Sequence, residues 1–216
     1  EAGRAFWRDI AAQRHVDAEE RLAADEREGG LTPTVLSAAL NSIVDEDTVL
    51  VEDAVTSRSA IVSQVSLSEP GSYFWKGGAG LGWAGGAAVG VKLASPESRV
   101  ISLVGDGSYL FANPSACALL AAEYDAPTLT VVYDNQGWNA VEGATTAQYP
   151  EGAAAADAVP ESHIETQMDL SAPATVVDAH TRVVDDPDEL PGALEDAVEA
   201  VENGIPAVLD VKVERP

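Results

Sequence analysis

Residues 105–140 read GDGSYLFANPSACALLAAEYDAPTLTVVYDNQGWNA. An apolar run, Val100 to Val104, leads into Gly105-Asp106-Gly107. A second, Thr128 to Tyr133, leads into Asp134-Asn135-Gln136-Gly137. Between them Asn113-Pro114 opens a helical segment, as an N-cap followed by proline at the first helical position. Strand, helix and strand, with a polar cluster after each strand, predict an α/β fold: a parallel sheet with helices on both faces. Both clusters would lie at the carboxyl edge of that sheet, where ligands bind.

The residue types at that edge suit a magnesium–phosphate site. Gly105 and Gly107 allow a sharp turn and close approach of a ligand to the backbone. Asp106 offers one anionic oxygen, Asn135 a neutral side-chain oxygen, and Gly137 a main-chain carbonyl. Magnesium takes a few protein oxygens and completes its octahedron with phosphate and water. A single carboxylate leaves the ion enough positive charge to hold a diphosphate. Alone, Gly-Asp-Gly is a plain turn signal. Paired with Asp134-Asn135, across the intervening residues 108–133, it is far more specific.

A GDG followed at that distance by an Asn-Asn pair resembles the signature of thiamine-diphosphate enzymes. The chain looks like the diphosphate-binding (PP) domain of the acetolactate synthase and benzoylformate decarboxylase group. The matching phrases are PGSYFWKGGAGLGWAGGAAVGVKLASPESRVISLVGDGS and DDPDELPGALEDAVEAVENGIPAVLDVKV. The pattern covers residues 30–145 and 181–213, and the stretch between is weaker. Asp134 departs from it, since the family usually has the first Asn of the pair there. The ligand position is the second, so Asn135 keeps that role.

The resemblance implies thiamine diphosphate and Mg2+ as cofactors. Asp106, Asn135 and the Gly137 carbonyl would hold the metal. Thr56, Gly107, Ser108 and the neighbouring amides would meet the diphosphate. Gly78, Ala79, Gly80 and Leu81 would line the pyrimidine and thiazolium rings, with Leu81 wedged between them or, alternatively, buried at a helix start. Trp138 would be a core aromatic or a wall of the substrate site. The implied partners are a 2-oxo acid substrate, a pyrimidine-binding domain or subunit that supplies an activating glutamate, and further copies in a homo-oligomer. The implied reaction is decarboxylation or carboligation of a 2-oxo acid, with no catalytic side chain assigned on this chain. Residues 1–30 would be a helical linker and residues 31–216 the PP domain, with 141–172 a mobile loop. A chain with this one half only reads as a fragment or a split subunit.

A second reading is open. Gly80-Leu81-Gly82-Trp83-Ala84-Gly85 fits G-x-G-x-x-G, the fingerprint of a dinucleotide site, and the next strand ends in Asp106. The Asp134-Asn135 cluster has no role in such a site. A non-catalytic thiamine-diphosphate or dinucleotide-binding module is therefore the alternative to an enzyme.

The chain has 36 acidic and 12 basic residues, a net charge of −24. The acids are spread along the whole chain. Self-repulsion of that size is tolerable when screened, so the composition predicts a surface adapted to high salt and argues against a nucleic-acid partner. No apolar run approaches the roughly 18 residues of a membrane span. With no leader visible either, the expected location is the cytoplasm. The lone Cys117 lies in the apolar helix and reads as core.

Elsewhere, residues 1–28 predict a charged helix with Phe6, Trp7, Ile10 and Leu22 on an irregular apolar face. Thr32-Pro33 caps a second helix, and Asp186-Pro187 opens the last. Thr48 to Val51, Tyr73 to Trp75 and Ala207 to Val213 predict further strands. His15, His163 and His180 are scattered and read as surface or loop residues, although His163 falls in the expected mobile loop. Glu142, Glu151, Glu161 and Glu165 lie in that stretch without strand patterning to fix them in place.

Overall fold

A computed structural model of the chain describes residues 2–78, 80–156, 162–164, 166 and 168–215. The strands are β1 (Thr48–Asp53), β2 (Tyr73–Trp75), β3 (Arg99–Gly105), β4 (Leu129–Asp134), β5 (His180–Val184) and β6 (Ala207–Lys212). They form one sheet in the order β2-β1-β3-β4-β6-β5, and every neighbouring pair is parallel. The helices are α1 (Ala2–Glu28), α2 (Pro33–Ala39), α3 (Arg58–Gln64), α4 (Trp83–Ala94), α5 (Asp106–Phe111), α6 (Pro114–Glu123), α7 (Asn139–Gln148), α8 (Ala153–Ala156) and α9 (Leu190–Glu202).

The central strands are apolar on both faces, which is what a parallel sheet covered on both sides requires. Leu50, Ile101, Leu103, Leu129, Val131 and Leu209 pack with Leu36, Ile61 and Leu194 from α2, α3 and α9. Val51, Val100, Val104, Val132 and Val208 pack with Ala84, Ala88 and Ala118 from α4 and α6 on the other face. The predicted α/β architecture is the one found.

Four local expectations need correction. β5 was not expected: His180-Thr181-Arg182-Val183-Val184 carries only two large apolar residues, and as an edge strand it is mostly half-exposed. His180 therefore starts a strand instead of lying in a loop, and is half-buried there. Asn113 does stand at the N-cap position before Pro114, but without a side-chain cap. It adopts φ 56° and its side chain caps nothing, because only Ala112 separates it from the last residue of α5 and the chain must turn sharply into α6. Asparagine tolerates that left-handed conformation. Phe6 and Trp7 are 58% and 66% exposed and pack edge to face on one another. The contact of α1 with the domain is made further along, through Ala18 and Asp25, with Thr32 Oγ1 donating to Asp25 Oδ2 at 2.7 Å. Finally, α7 (Asn139–Gln148) runs into the stretch 141–172 read as a loop, so that residues 141–148 are helical. α7 buries no side chain, so it has no apolar periodicity for a sequence pattern to show.

Candidate functional site

The strand order places the reversal of winding at β1 and β3. β2 lies outside β1 on one side, and β3, the next strand in the chain, lies on the other. A crevice at such a switch point is where open α/β sheets take ligands. Register brings the strand ends level there: Asp53 lies opposite Val104, and Gly105 opposite Tyr133. The turns leaving β1, β3 and β4 thus deliver Thr56, Asp106 to Ser108, and Asn135, Gly137 and Trp138 into one pocket, which Leu81 also lines.

Asp106 is buried at the start of α5. Its Oδ1 accepts the Gly107 N–H at 2.6 Å and its Oδ2 the Gly137 N–H at 3.0 Å. One carboxylate therefore ties the β3 turn to the β4 turn. Burial pushes its carboxyl up to about 6, against the lowering effect of the Gly137 and Gly107 N–H bonds; the neighbouring Asp134 carboxylate adds to the rise.

Asn135 is buried as well. Its Nδ2 lies 3.5 Å from Thr56 Oγ1, and its Oδ1 is buried with no hydrogen-bond partner among the described residues. An orphaned buried acceptor is costly and rare. Beside a buried carboxylate, its chemistry fits a hard cation. Among the described residues, no group of three or more His, Cys, Asp or Glu side chains could hold a metal. A hard cation here would rely on one carboxylate, an amide oxygen, a main-chain carbonyl and the oxygens of its own ligand, a pattern suited to magnesium with phosphate.

Asp134 takes a different part. Its Oδ1 accepts the Gln136 N–H at 2.9 Å, an Asx turn that holds Gln136 at φ 58°. Its Oδ2 accepts from Lys212 Nζ. Lys212 also donates to Asp210 Oδ2 and to the Met168 carbonyl, both at 2.8 Å. Arg215 donates to the carbonyls of Asn135 at 3.1 Å and Gln136 at 2.7 Å. The turn is held on its outer side by Ser162 and Ile164, with Trp138 N donating to Ser162 O and Ile164 N to Gln136 O. His163 thus pairs beside Gly137, with its Nε2 3.6 Å from Glu142 Oε2.

Trp138 is a pocket wall. Its ring lies so close over Gly107 that a Cβ there would come within 2.3 Å of it, and it meets Phe111 edge to face. Leu81 is 37% exposed and not buried at the helix start. Ser108 Oγ donates to Asp53 Oδ1 at 3.3 Å. Gly78 and Gly80 are exposed and are not among the lining residues. Ala79, Glu161 and Glu165 fall outside the described residues.

Three contributors were missed from the sequence. Asn139 lines the pocket and has a buried Oδ1 with no partner among the described residues. Lys212 was visible as one of only three lysines, placed at the end of the last buried strand. Asp53 is wholly buried and accepts from Lys76 Nζ at 2.6 Å, Gly82 N at 2.8 Å and Trp83 N at 2.9 Å. Its carboxylate thus fills the amide cradle at the start of α4, where a dinucleotide pyrophosphate would have to sit. That occupancy weighs against the G-x-G-x-x-G reading.

Comparison with known proteins agrees with this geometry. The profile of the thiamine pyrophosphate enzyme C-terminal TPP-binding domain matches residues 54–211. A benzoylformate decarboxylase of Pseudomonas aeruginosa is 34% identical over 120 residues, 55% of this chain and 22% of that protein. A probable acetolactate synthase large subunit of Methanocaldococcus jannaschii is 30% identical over 104 residues, 47% of this chain and 17% of that protein. Among solved structures, a thiamine diphosphate-dependent 4-hydroxybenzoylformate decarboxylase of Rhodococcus jostii superposes with a TM-score of 0.74 at 26% identity. It covers 87% of this chain and 33% of that one. The matched region thus spans only about a sixth to a third of the length of these relatives.

Proposed function

Because this chain belongs to the family of thiamine pyrophosphate enzymes, through their C-terminal TPP-binding domain, we propose that it binds thiamine diphosphate with magnesium at the β1/β3 switch point. It would there form one half of the active site of a 2-oxo acid decarboxylase or carboligase. The observation that carries this reading is the buried, partnerless Asn135 Oδ1 beside the buried Asp106 carboxylate. Asp106, Asn135 and the Gly137 carbonyl would hold magnesium, and Thr56, Ser108 and the amides near Gly107 would meet the diphosphate. Thiamine diphosphate supplies the electron sink for cleaving the bond beside a 2-oxo group. The protein's part is to position it. Leu81, exposed at the pocket edge, suits the wedge between the two rings, and Trp138 suits a wall that excludes water.

Residues 31–216 are read as the binding domain and 1–30 as a helical linker. Val55, Leu81 and Val141 line the pocket yet stay exposed. This apolar rim suits coverage by a pyrimidine-binding domain, and the assembly as a homo-oligomer follows the same logic. Among the described residues, no helix is long and apolar enough to cross a membrane.

Titration calorimetry in molar potassium chloride tests the cofactor. Thiamine diphosphate is expected to bind with magnesium and to lose affinity when EDTA removes it, while NAD gives no heat. Tight binding of NAD with none of thiamine diphosphate would overturn the reading.

A further inference from the structure

We propose that Lys212 is a positioning residue for the metal site: its ammonium neutralises Asp134 and holds that carboxylate to its turn-forming role, so that Asn135 and not Asp134 faces the ion. The inference rests on the thiamine diphosphate–magnesium reading of the pocket.

β4 and β6 are neighbours, and Asp134 and Lys212 lie opposite one another at their carboxyl ends. Asp134 is 4% exposed and stands next in the chain to the proposed ligand Asn135. A buried carboxylate with no counter-charge at that position would have two outlets. It could turn toward the cation, replacing the neutral amide oxygen, or repel the diphosphate arriving with the metal. Lys212 closes both by binding Asp134 Oδ2, while Asp134 Oδ1 stays on the Gln136 N–H. That bond forms the turn which brings the Gly137 N–H to Asp106 Oδ2. The chain of contacts therefore runs Lys212, Asp134, Gln136, Gly137, Asp106. The ammonium is itself oriented by Asp210 Oδ2 and the Met168 carbonyl, and Asp210 Oδ2 also accepts the Leu170 N–H at 2.7 Å. Lys212 thus has three acceptors from the surrounding fold, the arrangement of a built site and not of a surface lysine. Partners of this kind, one step out from the ligands, commonly control metal affinity by about ten- to a hundredfold.

An asparagine at 134 would keep the Oδ1 acceptor for Gln136 and would need no cation. This makes the inference testable by rescue. The variants are Lys212→Met, Asp134→Asn and the double variant. The readouts are thiamine diphosphate affinity at saturating magnesium, and the amide shifts and hydrogen-exchange protection of Gln136 and Gly137 in the free protein. Lys212→Met is expected to weaken binding at least about tenfold and to lower the protection of both amides. Asp134→Asn alone stays within about threefold of wild type. The double variant returns to that range on both readouts, as expected when a positioning partner is no longer required. If Lys212→Met leaves both readouts unchanged, or if the double variant is as impaired as Lys212→Met, the proposal is wrong. If the lost charge unfolds Lys212→Met, the pair Asp210→Asn/Lys212→Met and Asp134→Asn/Asp210→Asn/Lys212→Met differ only at Asp134 and give the same comparison. A wild type that fails to bind thiamine diphosphate would sink the cofactor reading, while the amide data would still decide the role of Lys212.

Discussion

Asp106 and Asn135 are adjacent in the pocket but differ in what the protein has already done for them. Asp106 uses both oxygens on backbone N–H groups and carries its charge into a desolvated place. Asn135 keeps a buried oxygen that nothing in the described protein satisfies. A metal would compensate both. Asp106→Ala is accordingly expected to abolish magnesium-dependent thiamine diphosphate binding. Asn135→Ala should weaken it by about ten- to a hundredfold, both read by calorimetry. The raised carboxyl of Asp106 also makes a prediction for the protein without cofactor. Between the ordinary carboxylate range and about 6, the folded state binds a proton at Asp106 that the unfolded state has released. Stability supplied by this site is therefore present at low pH and lost as pH rises through 6. From pH 4 to pH 7, the stability of the wild type should fall relative to Asp106→Ala by about 2–3 kcal/mol, since each tenfold difference in proton affinity between the two states is worth about 1.4 kcal/mol. Denaturant melts of the two proteins at fixed molar salt measure it. A constant difference across that range would mean that Asp106 is not held in a desolvated state.

The elements place these residues because strand ends, not loops, fix their positions. The turn into α4 shows how tightly. Gly82 has φ +85°, and a Cβ on it would meet the backbone at Ala112 N and Phe111 C at 2.6 Å. Asp53 holds the amides of Gly82 and Trp83 from below. Gly82→Ala is expected to destabilise the fold by about 2–4 kcal/mol, from left-handed strain together with a clash that packed backbone cannot relieve. Urea unfolding checks this, and a loss under about 0.5 kcal/mol, the scale of a neutral surface change, would refute it. The strands β1, β3, β4 and β6 were legible in the sequence because they are apolar on both faces. The pairing of GDG with Asp134-Asn135 was legible because it repeats one geometry at two neighbouring strand ends. β5 was hidden by its half-exposed edge position, and α7 by its lack of any buried face. The partnership of Asp134 with Lys212 was hidden for a different reason. It joins residues that are level only after β4 and β6 have paired, and no local pattern encodes that register.

At the scale of the whole molecule, two properties follow from what the surface carries. The net charge of −24 opposes the compact state by self-repulsion, and salt relieves it. The melting temperature is therefore expected to rise from low to molar potassium chloride, and one that does not move would remove the case for a surface adapted to salt. The second property concerns the open pocket. On the proposed reading, the lining residues Asp106, Asn135, Gly137 and Ser108 would address the diphosphate end of the cofactor, and Trp138 and Leu81 its neighbourhood. Among the described residues lining the pocket there is no glutamate, and the only carboxylate, Asp106, is engaged by two backbone amides and by the proposed metal. On the proposed reading, a pyrimidine-binding domain would supply the group that activates the cofactor's pyrimidine ring. The exposed Val55, Leu81 and Val141 mark where that surface would sit. The purified 216-residue chain, with magnesium and thiamine diphosphate in molar salt, is expected to bind cofactor weakly. It should release no carbon dioxide from pyruvate or benzoylformate above the rate of free thiamine diphosphate. Adding a pyrimidine-binding domain that carries the activating glutamate should restore turnover, and the same domain with that glutamate changed to glutamine should not. Robust turnover by the chain alone would show that the activating group lies on this chain after all.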